Sequence, residues 1–336
     1  MALVGLLLIV ASAAAVLLAP PASAALPQVE HVPKADGTLA ILAVGDRGRR
    51  GQFNQTLVAQ QMGVVGEKMD IDYVISTGDN IYDDGIANTS DPLFKESFSN
   101  IYTAKGLQKS WYLVLGNHDY TGNALVQLDP AIRNVDSRYT VIAKSFIVNS
   151  GIADFFLVDT TPFILHYWNN TKFDWRGVAP RDTYITNLLK DLEYALTESK
   201  APWKIVVGHH PISSACGHGN NTELEQLHLP VLKALLNCLF SFGAHGVDMY
   251  VNGHDHCLQR ISSRDSHLHF LTSGGGSKAW AGKFKATPDK VEFLYDGQGF
   301  MSMRLSKTEA HLAFSDVAGN VLHCWGLAKT AAAAGH

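Results

Sequence analysis

Residues 39–48 read LAILAVGDRG, an apolar run over Leu39–Val44 that stops at Gly45-Asp46. A short apolar run closed by a turn is the pattern of a strand buried on both faces. The polar stop recurs along the chain. Tyr73–Ser76 leads to Gly78-Asp79, and Trp111–Leu115 to Gly116-Asn117-His118. Trp203–Val207 leads to Gly208-His209-His210, and Val247–Val251 to Asn252-Gly253-His254-Asp255-His256. Helical stretches are expected between them: Gln52–Lys68, with Phe53, Leu57, Gln60 and Val64 on one face, then Pro92–Tyr102, Thr183–Ser199 and Glu223–Phe242. This β-α-β order predicts an α/β core of largely parallel strands. The later runs His267–Ser273, Val291–Tyr295, Phe300–Leu305, His311–Ser315 and Val321–Trp325 read as short strands of a second sheet packed on the first. Gly274-Gly275-Gly276 lacks the following Lys-Ser/Thr of a phosphate loop and reads as a turn.

The chain has 336 residues, 46% hydrophobic and 17% charged, enough for a large core and too apolar for disorder. Its net charge of −4 excludes a basic footprint for nucleic acid. Residues 1–20 carry no charge, Pro20-Pro21 breaks the run, and Ala22-Ser23-Ala24 is a small-residue cleavage pattern. Residues 1–24 therefore read as a secretory signal peptide, with an uncleaved signal anchor as the rival reading because the run is nearly long enough to span a bilayer, and 25–336 as one catalytic domain that has no membrane attachment after cleavage. A secretory route permits disulfides among Cys216, Cys238, Cys257 and Cys324, with the pairing left open and one bridge the simplest reading. It also permits glycosylation at the sequons that begin at Asn54, Asn88, Asn169 and Asn220.

The 15 His are unusual in number, and several fall at the strand ends. Ligands of open α/β sheets bind at the carboxyl ends of the strands, so these distant segments are expected to converge. Each piece alone has an ordinary reading, such as a turn Asp or a packed His. Together the Asp, Asn and His groups form the mixed oxygen and imidazole set that suits iron, zinc or manganese. Five such ends in order point to a two-metal phosphoesterase site with one Asp shared between the ions.

The segments Gly45-Asp46-Arg47-Gly48, Gly78-Asp79-Asn80-Ile81-Tyr82, Gly116-Asn117-His118-Asp119, Gly208-His209-His210-Pro211 and Gly253-His254-Asp255-His256 resemble the metallophosphoesterase (calcineurin-like) superfamily. Within it the chain is most similar to the low-molecular-weight plant purple acid phosphatases. Most superfamily members carry Asp-x-His at the first motif. Here Gly48 replaces that His, and Tyr82 stands three residues after Asp79. A phenolate is a hard anionic donor suited to trivalent iron.

The resemblance implies a β-sandwich of two mixed sheets flanked by helices, a four-layer αββα fold. It implies Fe(III) held by Asp46, Asp79, Tyr82 and His256, and a divalent ion (Fe, Zn or Mn) held by Asp79, Asn117, His209 and His254. His118 would stand beside the substrate phosphate, and His218 would be the second catalytic His, with His210 as a rival expected to point away. The expected activity is hydrolysis of small-molecule phosphate monoesters by metal-bound hydroxide, in a secreted or vacuolar monomer. The alternatives are a related enzyme acting on diesters or nucleotides, redox cycling at the same site, and a non-catalytic storage or binding protein on this fold. Arg47 departs from the Trp usual at its position. It is expected either to load the local packing or to reach the pocket and bind phosphate. Thr121–Asp136 and Ser213–Glu223 are the expected specificity loops.

Overall fold

The computed structural model describes residues 25–224 and 246–329. The leader 1–24, Cys238 and most of the helix expected over Glu223–Phe242 lie outside the described residues.

In chain order the strands are β1 (Gln28–Glu30), β2 (Leu39–Val44), β3 (Tyr73–Ser76), β4 (Ser110–Leu113), β5 (Tyr139–Thr140), β6 (Phe146–Asn149), β7 (Ala153–Leu157) and β8 (Trp203–Val207). They continue with β9 (Met249–Asn252), β10 (Leu258–Ser262), β11 (His269–Ser273), β12 (Lys290–Tyr295), β13 (Gly299–Leu305), β14 (Glu309–Asp316) and β15 (Val321–Ala328). Two mixed sheets result, with the orders β15-β14-β13-β2-β3-β4-β5 and β1-β6-β7-β8-β9-β11-β10-β12. The strands that lead to the polar turns are parallel: β2, β3 and β4 in the first sheet, β8 and β9 in the second.

The late strands do not form a sheet of their own. β13 pairs antiparallel with β2, in register Ser302↔Leu42, and extends the first sheet. β11 pairs parallel with β9 and carries β10 and β12 into the second. Such long-range pairings leave no local mark, which is why sequence alone assigns these strands to the wrong partners.

The run Leu39–Val44 is apolar throughout because both of its faces are covered. Leu39, Ile41 and Ala43 point between the sheets, with Ile75, Phe155, Ile205 and Val251. Ala40, Leu42 and Val44 point outward onto Val58, Met62, Phe94 and Phe98. Helix Arg181–Glu198 closes the other side, its Ile185, Leu188, Leu192 and Leu196 meeting Phe156, Val206 and Tyr250. That i, i+3, i+7, i+11 spacing is the buried stripe of an amphipathic helix, and truncating Leu192 to Ala should cost about 2–5 kcal/mol.

Helix Gln55–Met69 buries a face other than the expected one. Phe53, Leu57, Gln60 and Val64 are exposed, and Val58, Ala59, Met62, Gly63 and Gly66 face inward. The choice is made by shape: the small side packs flush on the segment Ala104–Gly106, where bulkier residues would not fit.

Candidate metal centre

All the parallel strands named above discharge their polar turns at one end of the sandwich. The first sheet delivers oxygens: Asp46 after β2, Asp79 and Tyr82 after β3, Asn117 after β4. The second delivers imidazoles: His209 after β8, His254 and His256 after β9. Asp46, Asp79 and His254 adopt left-handed backbone conformations (φ 58°, 50° and 66°). This conformation is uncommon for residues other than Gly, and its clustering here marks a site that the surrounding structure over-determines.

The seven expected ligands form two groups that share Asp79. In one, Tyr82 Oη lies 3.0 Å from Asp46 Oδ1, 2.8 Å from Asp79 Oδ2 and 3.2 Å from His256 Nε2. His256 Nε2 is also 3.5 Å from Asp46 Oδ1. In the other, His209 Nε2 lies 3.1 Å from Asn117 Oδ1, 3.2 Å from His254 Nδ1 and 3.4 Å from Asp79 Oδ1.

The second ring nitrogens fix the tautomers. His209 Nδ1 sits 2.9 Å from the Thr77 carbonyl, and His256 Nδ1 sits on the Lys278 carbonyl. A carbonyl only accepts, so each Nδ1 carries the proton and each Nε2 presents a bare lone pair inward. Around each Nε2 the neighbours are oxygens and nitrogens that mostly accept as well.

The charges show the same need for a cation. Burial and the Asp79 charge push the Asp46 carboxyl well above the usual carboxylate range. Burial also pushes Asp79 up, but attraction to His209 and His118 and the His118 N–H outweigh it and hold Asp79 below that range. Burial, then the Asp46 and Asp79 charges, raise the Tyr82 phenol well above its ordinary value. Burial lowers His209 and His254 and brings His256 to about 4, which disfavours the charged form of each ring. Imidazoles whose charged form is disfavoured and crowded acidic oxygens, bridged only by the Tyr82 hydroxyl and the His118 N–H, are the donor set of a cation pair, whose charge would offset the unfavourable terms.

Both expected catalytic His stand at this cleft of about 300 Å³. His118 gives Nδ1 to the Asp83 carbonyl, and its Nε2 is 4.0 Å from Asp79 Oδ2. His218 lies flat on His254, with ring centroids 4.0 Å apart. The rival His210 is buried behind them, its Nδ1 on Thr160 Oγ1 at 3.0 Å and its Nε2 near Tyr167 Oη at 3.3 Å.

Gly48 is dictated by space: a Cβ there would sit 1.9 Å from the Asn80 carbonyl oxygen, so no His fits this turn. Arg47 does not reach the cleft. It is 0% exposed, stacked among Phe98, Tyr102 and Trp111 at 5.1–5.5 Å, with hydrogen bonds to Ser76 Oγ and Asn80 Oδ1 at 3.1 Å.

Sequence reading missed several wall residues. Arg49, Tyr167, Lys278 and Trp280 line the cleft, whereas Thr121–Asp136 does not. Arg49 lies 3.6 Å over the Tyr82 ring, and Trp280 stacks on His256 at 4.1 Å. Arg49 is the one with a signal, since it follows the first motif directly. Asp119 was also passed over: it accepts the Asn80 and Gly116 N–H groups behind Asp79, and burial and the Asp79 charge raise it to about 6.

The calcineurin-like phosphoesterase family matches residues 39–258. The chain is 54% identical to purple acid phosphatase 3 of Arabidopsis thaliana, over 90% of this chain and 81% of that protein. It is 26% identical to tartrate-resistant acid phosphatase type 5 of Rattus norvegicus, over 88% and 92%. In fold it is similar to GAP50, the anchor in the inner membrane complex of Plasmodium, with TM-score 0.71, 22% identity and 87% and 89% of the two chains covered. It is also similar to purple acid phosphatase PPD1 from yellow lupin seeds, with TM-score 0.56, 17% identity and 87% and 54% covered. By the family match and the 54% identity, the chain belongs to the purple acid phosphatases, within the calcineurin-like phosphoesterases.

Proposed function

We propose that this acid phosphatase hydrolyses small phosphate monoesters at a binuclear centre in which Asp46, Asp79, Tyr82 and His256 hold Fe(III). Asp79, Asn117, His209 and His254 would hold a divalent ion, iron, zinc or manganese. The observation that carries the reading is the split of one buried cluster into an oxygen-rich half with a phenol and an imidazole-rich half, joined at Asp79. When bound, the metal pair lowers the pKa of water and offsets the negative charge of the phosphoryl group.

The chain's own groups supply the rest. His118 and His218 stand on the two sides of the cleft, each with Nδ1 committed to an oxygen of the protein, Asp83 O and Asp255 Oδ1. Each therefore presents Nε2 to the substrate. His118 meets the phosphoryl oxygens, and His218 gives a proton to the departing alcohol oxygen. Arg49 and Lys278 place positive charge on the wall, which favours an anionic ester.

The visible spectrum of the purified protein beside Tyr82→Phe tests the centre. A charge-transfer band that vanishes in the variant is expected. A colourless protein with two metals and monoesterase activity removes the ferric assignment and keeps the hydrolase.

The chain is further proposed to enter the secretory pathway through residues 1–24, leaving 25–336 as one secreted, monomeric catalytic domain. The Cys216–Cys257 disulfide supports an oxidising compartment. Asn54, Asn88 and Asn169 are exposed and Asn220 half-buried, so the first three are the preferred glycan sites. No described helix is long and apolar enough to cross a membrane. N-terminal sequencing, glycosidase digestion and sedimentation of the secreted product test these points.

A further inference from the structure

We propose that Asp255 and the Cys216–Cys257 disulfide form the positioning device of His218, fixing the imidazole that meets the leaving group. The inference rests on the reading of His218 as a proton donor.

The His218 ring is packed by His254 and Trp280, with centroids at 4.0 and 4.8 Å, but these contacts do not fix which nitrogen faces the cleft. The His218 side chain is 42% exposed, and the loop around it has no helix or strand. Its anchors come from below. Asp255 is fully buried between the candidate ligands His254 and His256. Its Oδ1 accepts the His218 backbone N–H at 2.7 Å and faces His218 Nδ1 at 3.1 Å. Its Oδ2 accepts the Ser214 hydroxyl. A carboxylate accepts, so Nδ1 carries the proton and Nε2 is the free nitrogen on the cleft side.

The loop is also tied covalently. Cys216, two residues before His218, bonds to Cys257, the residue between His256 and β10, and both are buried. Around this bridge Ala215 N–H donates to Gln259 Oε1 at 2.9 Å, Gln259 Nε2 donates to Ser214 Oγ at 2.8 Å, and the Cys216 N–H donates to Ser214 Oγ at 3.0 Å. Apart from the Cys216–Ser214 bond within the loop, these ties end on the segment Asp255–Gln259, which also carries the candidate ligand His256. The arrangement therefore sets His218 relative to the metal loop itself. The precision matters because a misplacement of about 1 Å can cost roughly 10²-fold in rate.

In the step served, His218 enters with a proton on both ring nitrogens. The P–O bond to the leaving alcohol breaks, its electron pair goes to the alcohol oxygen, and an O–H bond forms there as the Nε2–H bond of His218 breaks. The nitrogen keeps its electron pair, and Asp255 keeps its charge throughout. A buried carboxylate on Nδ1 orients the ring.

The test is kcat across phosphate monoesters from p-nitrophenyl phosphate to alkyl phosphates, with bound metal measured for each protein. The proteins are the wild type, Asp255→Asn, Cys216→Ala/Cys257→Ala and His218→Gln. A poor leaving group needs the proton most. The ratio of alkyl to p-nitrophenyl turnover should fall about ten-fold or more in each variant, with metal retained and KM moving less than kcat. Asp255→Asn placed in the His218→Gln background should lower the ratio no further, because Asp255 acts through that ring.

A flat ratio in Asp255→Asn and in the cysteine pair, beside a fallen one in His218→Gln, overturns the inference and leaves the proton donor standing. A flat ratio in His218→Gln removes the donor reading itself. Metal loss in Asp255→Asn also overturns the inference, since Asp255 then supports the ligands and not His218. If Asp255→Asn does not fold, Ser214→Ala and the cysteine pair decide the question by the same ratio.

Discussion

The two sheets make unlike contributions to one site. The first ends in carboxylates, a phenol and an amide oxygen, and the second ends in imidazoles. Each set sits on a stiff, doubly covered sheet, and neither has enough donors by itself to enclose an ion. The cluster forms only where the sheets meet, so a metal pair held there would also cross-link the halves of the sandwich. The difference teaches how one fold could hold two unlike ions side by side. Hard oxygen donors and borderline nitrogen donors come from separate sheets and mix at Asp79, Asn117 and His256.

Removing the shared group should break the comparison most completely. Asp79→Ala takes an acceptor from both halves at once. Metal analysis should show both ions lost, and kcat/KM should fall by about 10³-fold or more. If the variant keeps either ion at full occupancy, Asp79 is not the bridge.

Breaking one sheet at a time sharpens the contrast. Tyr82→Phe should abolish visible colour, while His209→Ala should release the divalent ion and leave the colour of the remaining one. Each should cost more than the roughly 10–100-fold typical of an outer-shell residue. Equal loss of both ions in both variants, by elemental analysis, would show that the halves do not bind independently.

The same contrast marks what was legible in the sequence. The five polar strand ends stood out because doubly buried strands read as unbroken apolar runs, against which Asp46 or His209 is conspicuous. Assignment of β11 to β15 to one separate sheet failed because the β2–β13 and β9–β11 pairings join distant segments with no local signature. The helix Gln55–Met69 was turned the wrong way because its exposed face carries the bulkier Leu57 and Val64, while its buried face mixes Val58 and Met62 with Gln55, Ala59, Gly63 and Gly66. Lys278 and Trp280 were missed because they reach the cleft from a loop, Tyr167 because it stands on a short helix (Leu165–Trp168) outside the five motifs, and Asp255 because it looks like a spacer between two ligands.

Arg47 tests whether the first sheet needs a charge behind its ligands. Its guanidinium is held by Ser76, Asn80 and three rings, with Nη1 unpartnered. Arg47→Ala leaves a cavity and two lost hydrogen bonds and should cost about 3 kcal/mol in denaturant unfolding. Arg47→Met keeps the volume without a buried charge and should stay within about 1.5 kcal/mol of the parent. A loss in Met as large as in Ala would mean that the charge itself is required.

The smallest effect probes the second sheet away from the metals. His269 on β11 is partly buried beside Arg260, with Nδ1 3.3 Å from Ser262 Oγ. Burial, then Arg260, lower its pKa from 6.5 to about 4. In the unfolded chain the imidazole titrates near its ordinary value of about 6.5. Between these two pH values the unfolded chain binds more protons than the folded one, so stability rises with pH across the window. The contribution is complete above about pH 6.5 and is lost as the pH falls towards 4. His269→Gln removes that titration, and its Tm should decline less steeply than the wild type's between pH 6.5 and 4, by about 2 °C over the window. Parallel Tm curves for the two proteins would place the acid sensitivity of the second sheet elsewhere, at the imidazoles that face the metals.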